Sequence, residues 1–294
     1  MSDRRALITG AGGQLGSELS ALLAETGEVW AAGRDELDIA DDAATIAAVA
    51  DFRPSLVINC AAFHNVDACE REEDRSFEVN ARAVKRLAEA CVENSAKLVH
   101  FSTNYVFDGT STQPYGEHDV PAPRSIYAIS KLAGEHAALA YAPRALVVRS
   151  SGLYGLRGSV SKGGNFVTRM IARGRDQGEL KMVADQVLTP TFTADLARAV
   201  VESVELDVDG VLHLTNAGEC SWCEFTRAII DVAGIDASIE PVETSTGPGL
   251  TQRPRNGVLR SARADALGLS ELRPWREALV DYMRLAGLAQ AGAV

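Results

Sequence analysis

A glycine-rich segment close to the N-terminus constrains the fold more than any other feature of this chain. The apolar run Arg5–Thr9 (RALIT) is typical of a buried strand, and the next residues, Gly10–Gly16 (GAGGQLG), place three glycines with the spacing GxxGxxG. Such a turn between a strand and a helix lets backbone amides approach a pyrophosphate, because the N-terminus of a helix favours negative charge. A plain tight turn is the alternative. The predicted cofactor contacts in this segment are Gly10, Gly13, Gln14, Leu15 and Gly16.

The first 150 residues alternate short apolar runs with helix-like segments. Strands are predicted at Arg5–Thr9, Glu28–Ala32, Ser55–Cys60, Lys97–Ser102 and Ala145–Arg149, and helices at Ser17–Glu25, Ala43–Asp51, Ala81–Asn94 and Tyr127–Tyr141. Strands that alternate with helices indicate a parallel sheet with right-handed crossovers. The sequence therefore predicts an α/β protein with a doubly wound parallel sheet of the Rossmann type.

The pattern changes after residue 150. Gly152–Gly164 and Thr244–Gly257 resemble loops, and Ser221 with Glu224 has the spacing of a capping box. Helices are predicted at Phe166–Arg173, Thr193–Glu205, Cys223–Ala233 and Arg276–Leu285, and strands at Leu180–Val183 and Val211–Leu214. We expect residues 1–150 with about 183–215 to form the dinucleotide-binding domain, and about 151–182 and 216–294 to form a smaller substrate-binding lobe.

Charge and composition narrow the range of partners. Twenty-nine Lys and Arg against 40 Asp and Glu give a net charge of −11, which disfavours nucleic-acid binding. No apolar run reaches the roughly 18–20 residues of a membrane span, and the N-terminus lacks the pattern of a signal peptide. Five cysteines at irregular spacing fit a reducing compartment, and the Cys220–Cys223 pair lacks the partners of a zinc site. We expect a cytoplasmic protein with a small-molecule substrate and no metal site.

The end of the second strand should select the cofactor. An acidic residue there favours NAD, whereas an arginine favours the 2′-phosphate of NADP. The chain offers Arg34 and Asp35 in succession, and Arg34 lies closer to the strand. NADP(H) is therefore the preferred cofactor, with NAD(H) as the alternative. Asp38 and Ile39 are candidates for the adenine pocket; a solvent loop with one buried isoleucine is the other interpretation.

Tyr127 and Lys131 form a YxxxK pair on one face of a predicted helix. The ordinary pKa of a tyrosine, near 10, is too high for efficient proton transfer at neutral pH. An ammonium one helix turn away favours the phenolate and should lower that pKa. A tyrosine tuned in this way could protonate a carbonyl oxygen while hydride arrives at its carbon, and the lysine could hold the nicotinamide ribose.

Ligands of open α/β sheets lie at the carboxyl ends of the strands. At the end of the fourth strand, Thr103 could donate a hydrogen bond to the same carbonyl oxygen, and Ser102 lies beside it. Small residues end the third strand, Cys60, Ala61 and Ala62, and would let a cofactor approach the backbone. Turn capping by Thr103 and simple close packing are the structural alternatives.

These motifs together resemble the extended short-chain dehydrogenase/reductases, and more narrowly the dTDP-4-dehydrorhamnose reductases. The resemblance covers nearly the whole chain. It is carried by the glycine turn with Gln14 and Glu18, Val66-Asp67 with Glu70, Val79–Ala81, the segment STNYVFDG at 102–109, the YxxxK pair, Gly164–Phe166, Asp185-Gln186, Pro190-Thr191, Ser221-Trp222, Arg253-Pro254 with Asn256, and Pro274–Arg276.

The resemblance implies reduction of the 4-keto group of a nucleotide-linked 6-deoxyhexose by NADPH or NADH. Thr103, Tyr127 and Lys131 would be the catalytic set, with Tyr127 as proton donor. The implied substrate contacts are His64, Asn104, Tyr105, Val106, Asn165 and Arg253, with Arg253 near the nucleotide diphosphate. Some members bind Mg²⁺ through acidic residues that include the one matched by Glu18, but a single carboxylate is not a site. Family members are monomers or homodimers.

Three positions depart from the family pattern. Asn104 stands where Asp is usual, His64 where Thr is usual, and Gly152 where Trp is usual. A different keto sugar, or a larger substrate near Gly152, is therefore compatible with the sequence. An alternative function is a non-catalytic NADP-binding subunit, like the regulatory subunit of methionine adenosyltransferase, which resembles the same family.

Overall fold

A computed structural model describes residues 4–157, 163–245, 247 and 251–290 of the chain. Its strands are β1 (Arg5–Thr9), β2 (Glu28–Ala32), β3 (Leu56–Asn59), β4 (Lys97–Thr103), β5 (Leu146–Ser150), β6 (Leu153–Tyr154), β7 (Glu179–Val183), β8 (Val187–Leu188), β9 (Thr191–Phe192), β10 (Gly210–His213), β11 (Cys220–Ser221), β12 (Ser238–Val242) and β13 (Asn256–Gly257).

The helices alternate with these strands in the first half of the chain. They are α1 (Gln14–Ala24), α2 (Asp42–Phe52), α3 (Val66–Arg71), α4 (Glu73–Phe77), α5 (Ala83–Glu93), α6 (Ile126–Tyr141), α7 (Phe166–Gln177), α8 (Thr193–Glu205), α9 (Trp222–Ala233), α10 (Ala262–Leu267) and α11 (Trp275–Leu285). A π-helical turn, Glu78–Arg82, joins α4 to α5, and a 3₁₀ turn, Asn104–Val106, follows β4.

Six strands form a parallel sheet in the order β10-β5-β4-β3-β1-β2. The inner strands are rich in Val, Ile and Leu because both of their faces are covered; all residues of β3 and β5 are buried. Helices α1 and α8 pack on one face, and α2, α5 and α6 pack on the other. This arrangement confirms the predicted Rossmann-type fold and places the carboxyl ends of β1, β3, β4 and β5 at one edge.

A second apolar core lies outside the sheet. It is built around the aromatic side chains of Tyr154, Phe192, Phe225, Trp275 and Tyr282, whose neighbouring rings lie 5.1–5.8 Å apart. Helices α7, α9 and α11 pack around it, whereas α8 and β10 belong to the main sheet and its covering layer. This packing supports the proposed division into a dinucleotide-binding domain and a smaller lobe.

Several elements differ from the sequence-based expectation. The helix Thr193–Glu205 and the Ser221–Glu224 capping box are confirmed, and the other predicted helices shift by a few residues at their ends. Helices α3 and α4 were not predicted because they are short, strongly charged and lack an apolar period. Strand β12 pairs only with β7, is largely exposed and contains Pro241, so it lacks the signature of a buried strand. Among the described residues, no helix combines the length and hydropathy needed to cross a bilayer.

Candidate active site

The turn after β1 requires glycine for two separate reasons. Gly10 has φ +65°, and a Cβ there would lie 2.6 Å from the backbone nitrogen of Ala61 at the end of β3. A Cβ on Gly16 would lie 2.6 Å from the carbonyl oxygen of Gly10. The first turn of α1 therefore packs directly against the sheet, as a dinucleotide-binding turn requires, and Gly13 is the N-cap of that helix.

The side chains of Gln14 and Leu15 are turned to other partners. The side-chain oxygen Oε1 of Gln14 accepts a hydrogen bond from the Gly155 amide at 3.1 Å, and Leu15 is buried in the main core. Glu18, one turn further, accepts from the Leu156 amide, and burial raises the pKa of its carboxyl group. Helix α1 thus fixes residues 155–156, and the buried side chain of Leu15 is directed away from a cofactor at the turn.

At the end of β2, Arg34 forms an exposed ion pair with Asp38, with Nε and Oδ2 3.3 Å apart. Asp38 also accepts from the Ala40 amide, while Ile39 is buried in the core. The carboxylate of Glu36 accepts from the Gly33 amide at 2.7 Å. An open cavity of about 420 Å³ lies between this loop and the glycine turn, and its lining includes Gly12, Gly33, Glu36 and Arg157.

Thr103 and Tyr127 meet at the carboxyl edge of the sheet. Their hydroxyl groups lie close to each other, and Thr103 Oγ1 accepts from the Tyr105 amide at 3.2 Å. The ring of Tyr105 stands edge-on to Tyr127 with centroids 5.8 Å apart. Burial raises the pKa of Tyr127, and the Thr103 hydroxyl acts in the opposite direction. A raised pKa keeps the Tyr127 hydroxyl protonated at neutral pH.

Lys131 lies one turn along α6 from Tyr127 and is buried. Its Nζ is 3.4 Å from Nε2 of His100. Burial lowers the pKa of Lys131 to about 8, while Glu135 and the Cys60 thiol act to raise it. The predicted lowering of the Tyr127 pKa by Lys131 is wrong for this structure, because burial dominates and the opposing group is Thr103.

Arg253 reaches the same edge from the segment that precedes β13. Its Nη2 donates to both carboxylate oxygens of Asp67, at 2.9 and 3.0 Å, and its guanidinium lies beside the Tyr105 hydroxyl. Burial raises the pKa of Tyr105, and the neighbouring Arg253 opposes this shift. The fold therefore brings Thr103, Tyr105, Tyr127 and Arg253 together, although they come from distant parts of the chain.

Other predicted substrate contacts have internal partners. Asn104 is buried, and its amide donates to the Gly257 carbonyl at 3.1 Å. The side chain of Val106 is buried against Phe107, Tyr115 and Leu259, which leaves no apolar surface for a substrate and corrects the prediction for that side chain.

Asn165 caps α7 through the Thr168 amide and donates to the Gly155 carbonyl and the Tyr282 hydroxyl at 2.8 and 2.7 Å. These bonds disfavour a substrate contact for its side chain, because a buried cap has no free donor. His64 is partly exposed at the end of the β3 segment, with Nδ1 3.4 Å from the Ala62 carbonyl. Its substrate contact stays a prediction.

Gly152 does not open the space that the sequence suggested. Its φ is +59°, and a Cβ there would lie 2.8 Å from Leu188 Cδ1 and 3.1 Å from Pro190 Cα. The neighbourhood that a side chain would enter is therefore already filled. The expectation of room for a larger substrate in that direction is wrong.

The carboxyl edge fits a nicotinamide cofactor. The hydroxyl oxygens of Ser102, Ser150 and Ser151 are buried there without a hydrogen-bonding partner among the described residues. Ser150 is the register partner of Thr103, so these donors lie beside the catalytic candidates. Unpaired buried hydroxyls are costly and mark a place where a polar ligand group completes the bonding. Cys60, Ala61 and Ala62 close the same edge at the end of β3.

The described residues fit a nicotinamide cofactor but do not offer a set of side chains that fits Mg²⁺. Among residues 4–157, 163–245, 247 and 251–290, no group of three or more His, Cys, Asp or Glu side chains is placed to hold a metal ion. Glu18 already accepts a backbone amide.

Sequence reasoning missed three polar residues that support the site. Asn80 in the π-helical turn bonds the backbone of Phe63 through both ends of its amide and donates to Ser130 of α6 at 3.0 Å. Asn59 and His100 form a buried contact behind Lys131. For Asn59 and His100 the available signal was a polar residue within an apolar run of a strand, which does not identify the residue that it contacts.

Comparison with known proteins agrees with this geometry. The family model described as RmlD substrate binding domain matches residues 4–286. A dTDP-4-dehydrorhamnose reductase from Streptomyces griseus is 40% identical over 285 residues, covering 94% of this chain and 92% of that protein. A probable dTDP-4,6-dihydroxy-2-methyloxan-3-one 4-ketoreductase from Streptomyces antibioticus is 41% identical over 281 residues, covering 94% and 93%.

A solved structure extends the comparison to three dimensions. It is a dTDP-4-dehydrorhamnose reductase from Bacillus anthracis in complex with NADP, with a TM-score of 0.90 and 34% identity. The alignment covers 96% of this chain and 99% of that one. The range matched by the family model, residues 4–286, contains the glycine turn and the YxxxK pair of this chain. This chain belongs to the dTDP-4-dehydrorhamnose reductase family.

Proposed function

We propose that this protein reduces the 4-keto group of a dTDP-linked 6-deoxyhexose with NADPH. The observation that carries the proposal is that Thr103 and Tyr127 lie side by side at the carboxyl edge of the sheet, with Lys131 one helix turn from Tyr127. Relatives named as reductases of dTDP-linked keto sugars, and a solved relative in complex with NADP, support the substrate class and the cofactor.

The residues of this site supply a proton and hold the reacting groups. When bound, the nicotinamide supplies the hydride that adds to the C4 carbon. Tyr127, whose hydroxyl is protonated at neutral pH, would give its proton to the carbonyl oxygen, and Thr103 would donate a hydrogen bond to the same oxygen. The Lys131 amine would bind the ribose of the nicotinamide nucleotide.

Arg253 is the proposed ligand of the diphosphate. A guanidinium favours phosphate oxygens because its planar N–H groups bind two of them at once. In this structure Arg253 is bonded to Asp67 and lies beside Tyr105, whose ring contacts that of Tyr127. A diphosphate would therefore compete with the Asp67 carboxylate for a guanidinium that is already in place.

Arg34 is the proposed contact of the 2′-phosphate. Its side chain is 68% exposed and its single ion pair with Asp38 is on the surface, so the pair contributes about 1 kcal/mol or less. Little free energy is lost when the guanidinium turns to a phosphate. Asp38 and the backbone around Ile39 would lie beside the adenosine, and the unpaired Ser102 hydroxyl near the nicotinamide.

Location and assembly belong to the same proposal. The five cysteines, all among the described residues, are free thiols, which supports a reducing compartment such as the cytoplasm. We propose a monomer or a homodimer, and light scattering of the purified protein distinguishes these states.

The test is NADPH oxidation by the purified protein against a panel of dTDP-linked 4-keto sugars. Relatives with different names, including a 4-ketoreductase of another sugar, make such a panel informative. We expect turnover with at least one 4-keto-6-deoxyhexose and none with its 4-hydroxy product. Tight NADPH binding without turnover on any sugar would contradict the proposal and favour the non-catalytic cofactor-binding subunit.

A further inference from the structure

His100 connects the third strand of the chain to the proposed catalytic lysine. It is fully buried on β4, with Nδ1 3.2 Å from Nδ2 of Asn59 and Nε2 3.4 Å from Nζ of Lys131. Helix α6 comes so close that a Cβ on Gly134 would lie 3.2 Å from the same Nε2. The proposed chemistry does not use this histidine, although it contacts a residue that the chemistry requires.

The orientation of the Asn59 amide follows from its other partners. Its Oδ1 accepts from the Thr9 hydroxyl at 2.7 Å and from the Ala61 amide at 3.2 Å. A backbone N–H can only donate, so the oxygen must face Ala61 and the amino group must face His100. Nδ1 of His100 is therefore the acceptor, and a neutral ring carries its hydrogen on Nε2, directed at Lys131.

This tautomer affects the charge on Lys131. An ammonium has three donors and no acceptor, so it cannot accept the Nε2–H group, whereas a neutral amine can. The ring cannot easily take a second proton, because burial and the neighbouring Lys131 hold the pKa of His100 well below its ordinary range. Glu135 on the same helix and Cys60 at the end of β3 act in the other direction and favour the ammonium.

We propose that His100 is a positioning residue: fixed by Asn59 with its hydrogen on Nε2, it sets the charge on the Lys131 amine and thereby the pH range in which that amine binds the cofactor. The inference rests on the proposed role of Lys131 in ribose binding. Ribose hydroxyls are good acceptors for an ammonium, so at a pH above the pKa of Lys131 in the free protein a proton is taken up from solvent when the cofactor binds. NADPH affinity then falls as pH rises through the pKa of Lys131, about 8 in the free protein.

The tautomer can be tested on the unaltered protein. Imidazole ¹⁵N spectra should show His100 with hydrogen on Nε2, assigned by the loss of its signals in His100→Phe. His213 provides an internal reference for the other tautomer. Its Nδ1 lies 3.1 Å from the carbonyl oxygens of Tyr115 and Arg260, so Nδ1 must carry the hydrogen. A spectrum in which His100 carries its hydrogen on Nδ1 overturns the proposal, whether or not any variant folds.

The effect on cofactor binding needs variants. NADPH dissociation constants would be measured by fluorescence from pH 6 to 10, an interval of about two units on either side of that pKa. His100→Phe removes the Nε2–H donor and should move the midpoint of the affinity loss upward by about one pH unit. Asn59→Asp should move the midpoint in the same direction. A carboxylate still accepts from Thr9 and Ala61, but it also accepts a hydrogen from Nδ1 of His100. Nε2 of His100 then presents a lone pair to the Lys131 amine.

The matched control is His136→Gln, an exposed histidine on the same helix as Lys131, which should leave the midpoint unchanged. Folded His100→Phe protein with the wild-type midpoint refutes the role of His100. That result would leave the reductase proposal intact, because turnover on keto sugars is measured separately. Conversely, NADPH binding with the expected pH dependence but no turnover would contradict the reductase proposal alone.

Discussion

The side-chain amide of Asn104 donates to the carbonyl oxygen of Gly257 at 3.1 Å, and this bond ties the end of β4 to β13. The two residues pack so tightly that a Cβ on Gly257 would lie 2.1 Å from Asn104 Nδ2. Asn104 is buried, and its Oδ1 accepts from the Thr103 hydroxyl at 3.3 Å. The residue next to the proposed catalytic threonine thus anchors the segment that carries Arg253.

Asn104→Asp should therefore destabilise the protein. The substitution replaces a donor by a carboxylate oxygen that faces a buried carbonyl, and we expect a loss of about 1–3 kcal/mol in the free energy of unfolding. Urea denaturation measures this loss. Asn94→Asp is the matched control, because Asn94 also donates to a carbonyl, that of Ala90, but at a partly exposed helix end. Equal losses in the two variants would show that the buried bond to Gly257 contributes no more to stability than a partly exposed one.

Tyr127→Phe should lower turnover by about two or more decades while NADPH binding stays close to that of the wild type. The phenyl ring keeps the edge-on contact with Tyr105, so the change is confined to the hydroxyl that lies beside Thr103. Single-turnover rates with a keto sugar measure the effect. Tyr141→Phe, at the exposed end of the same helix, serves as control. Near-normal turnover of Tyr127→Phe would mean that another group donates the proton.

The order of elements and one edge of the sheet were predictable from the sequence. Apolar strands, the glycine turn and the YxxxK pair are local patterns, and parallel topology places the ends of β1, β3 and β4 together. Hence Gly10, Thr103 and Tyr127 were identified from neighbouring residues alone. The pattern also gave the correct bounds of β1 and β2.

Contacts between distant segments were not predictable in this way. Arg253 and Asp67 are 186 residues apart, and Asn104 and Gly257 are 153 apart, so no local period relates them. The substrate contacts expected for Val106 and Asn165 came from the family resemblance, which does not give the direction of a side chain. Both side chains point into internal packing or hydrogen bonds.

Arg34→Ala should weaken NADPH binding more than NADH binding. A charge-assisted contact with the 2′-phosphate contributes about 1.5–3 kcal/mol, so we expect roughly tenfold or more in the NADPH dissociation constant and little change for NADH. Titration with both cofactors gives the ratio directly. Arg173→Ala, an exposed arginine on α7, controls for the loss of one surface charge. An equal effect of Arg34→Ala on both cofactors would remove the case for NADP selection at this position.

The buried ion pair of Arg149 and Glu135 joins β5 to α6 behind the site. Arg149 donates to both Glu135 oxygens at 2.6–3.1 Å, and the two side chains are 4% and 2% exposed. Glu135→Gln leaves a buried guanidinium without its counter-charge and should cost about 3–5 kcal/mol of unfolding free energy. The surface pair Lys181–Glu240 gives the comparison, since Glu240→Gln should cost about 1 kcal/mol or less. Similar losses at both sites would contradict the importance of burial.

His213 should make the stability fall on acidification. It is buried beside Arg149 and Glu117, and burial lowers its pKa to about 4, below its ordinary value of 6.5. The unfolded chain therefore binds the proton first, so unfolding free energy is lost as pH falls from about 6.5 toward 4, and the loss levels off below that.

His213→Gln should flatten this part of the stability curve, although it lowers stability at neutral pH. Thermal or urea unfolding between pH 7 and 4, an interval of about three units that brackets both pKa values, measures the slope. His136→Gln, which removes an exposed histidine, should keep the wild-type slope. If the unfolding free energy of His213→Gln falls with pH as steeply as that of the wild type, the acid sensitivity comes from other groups. His100 would be the first of these to examine, because burial lowers its pKa as well.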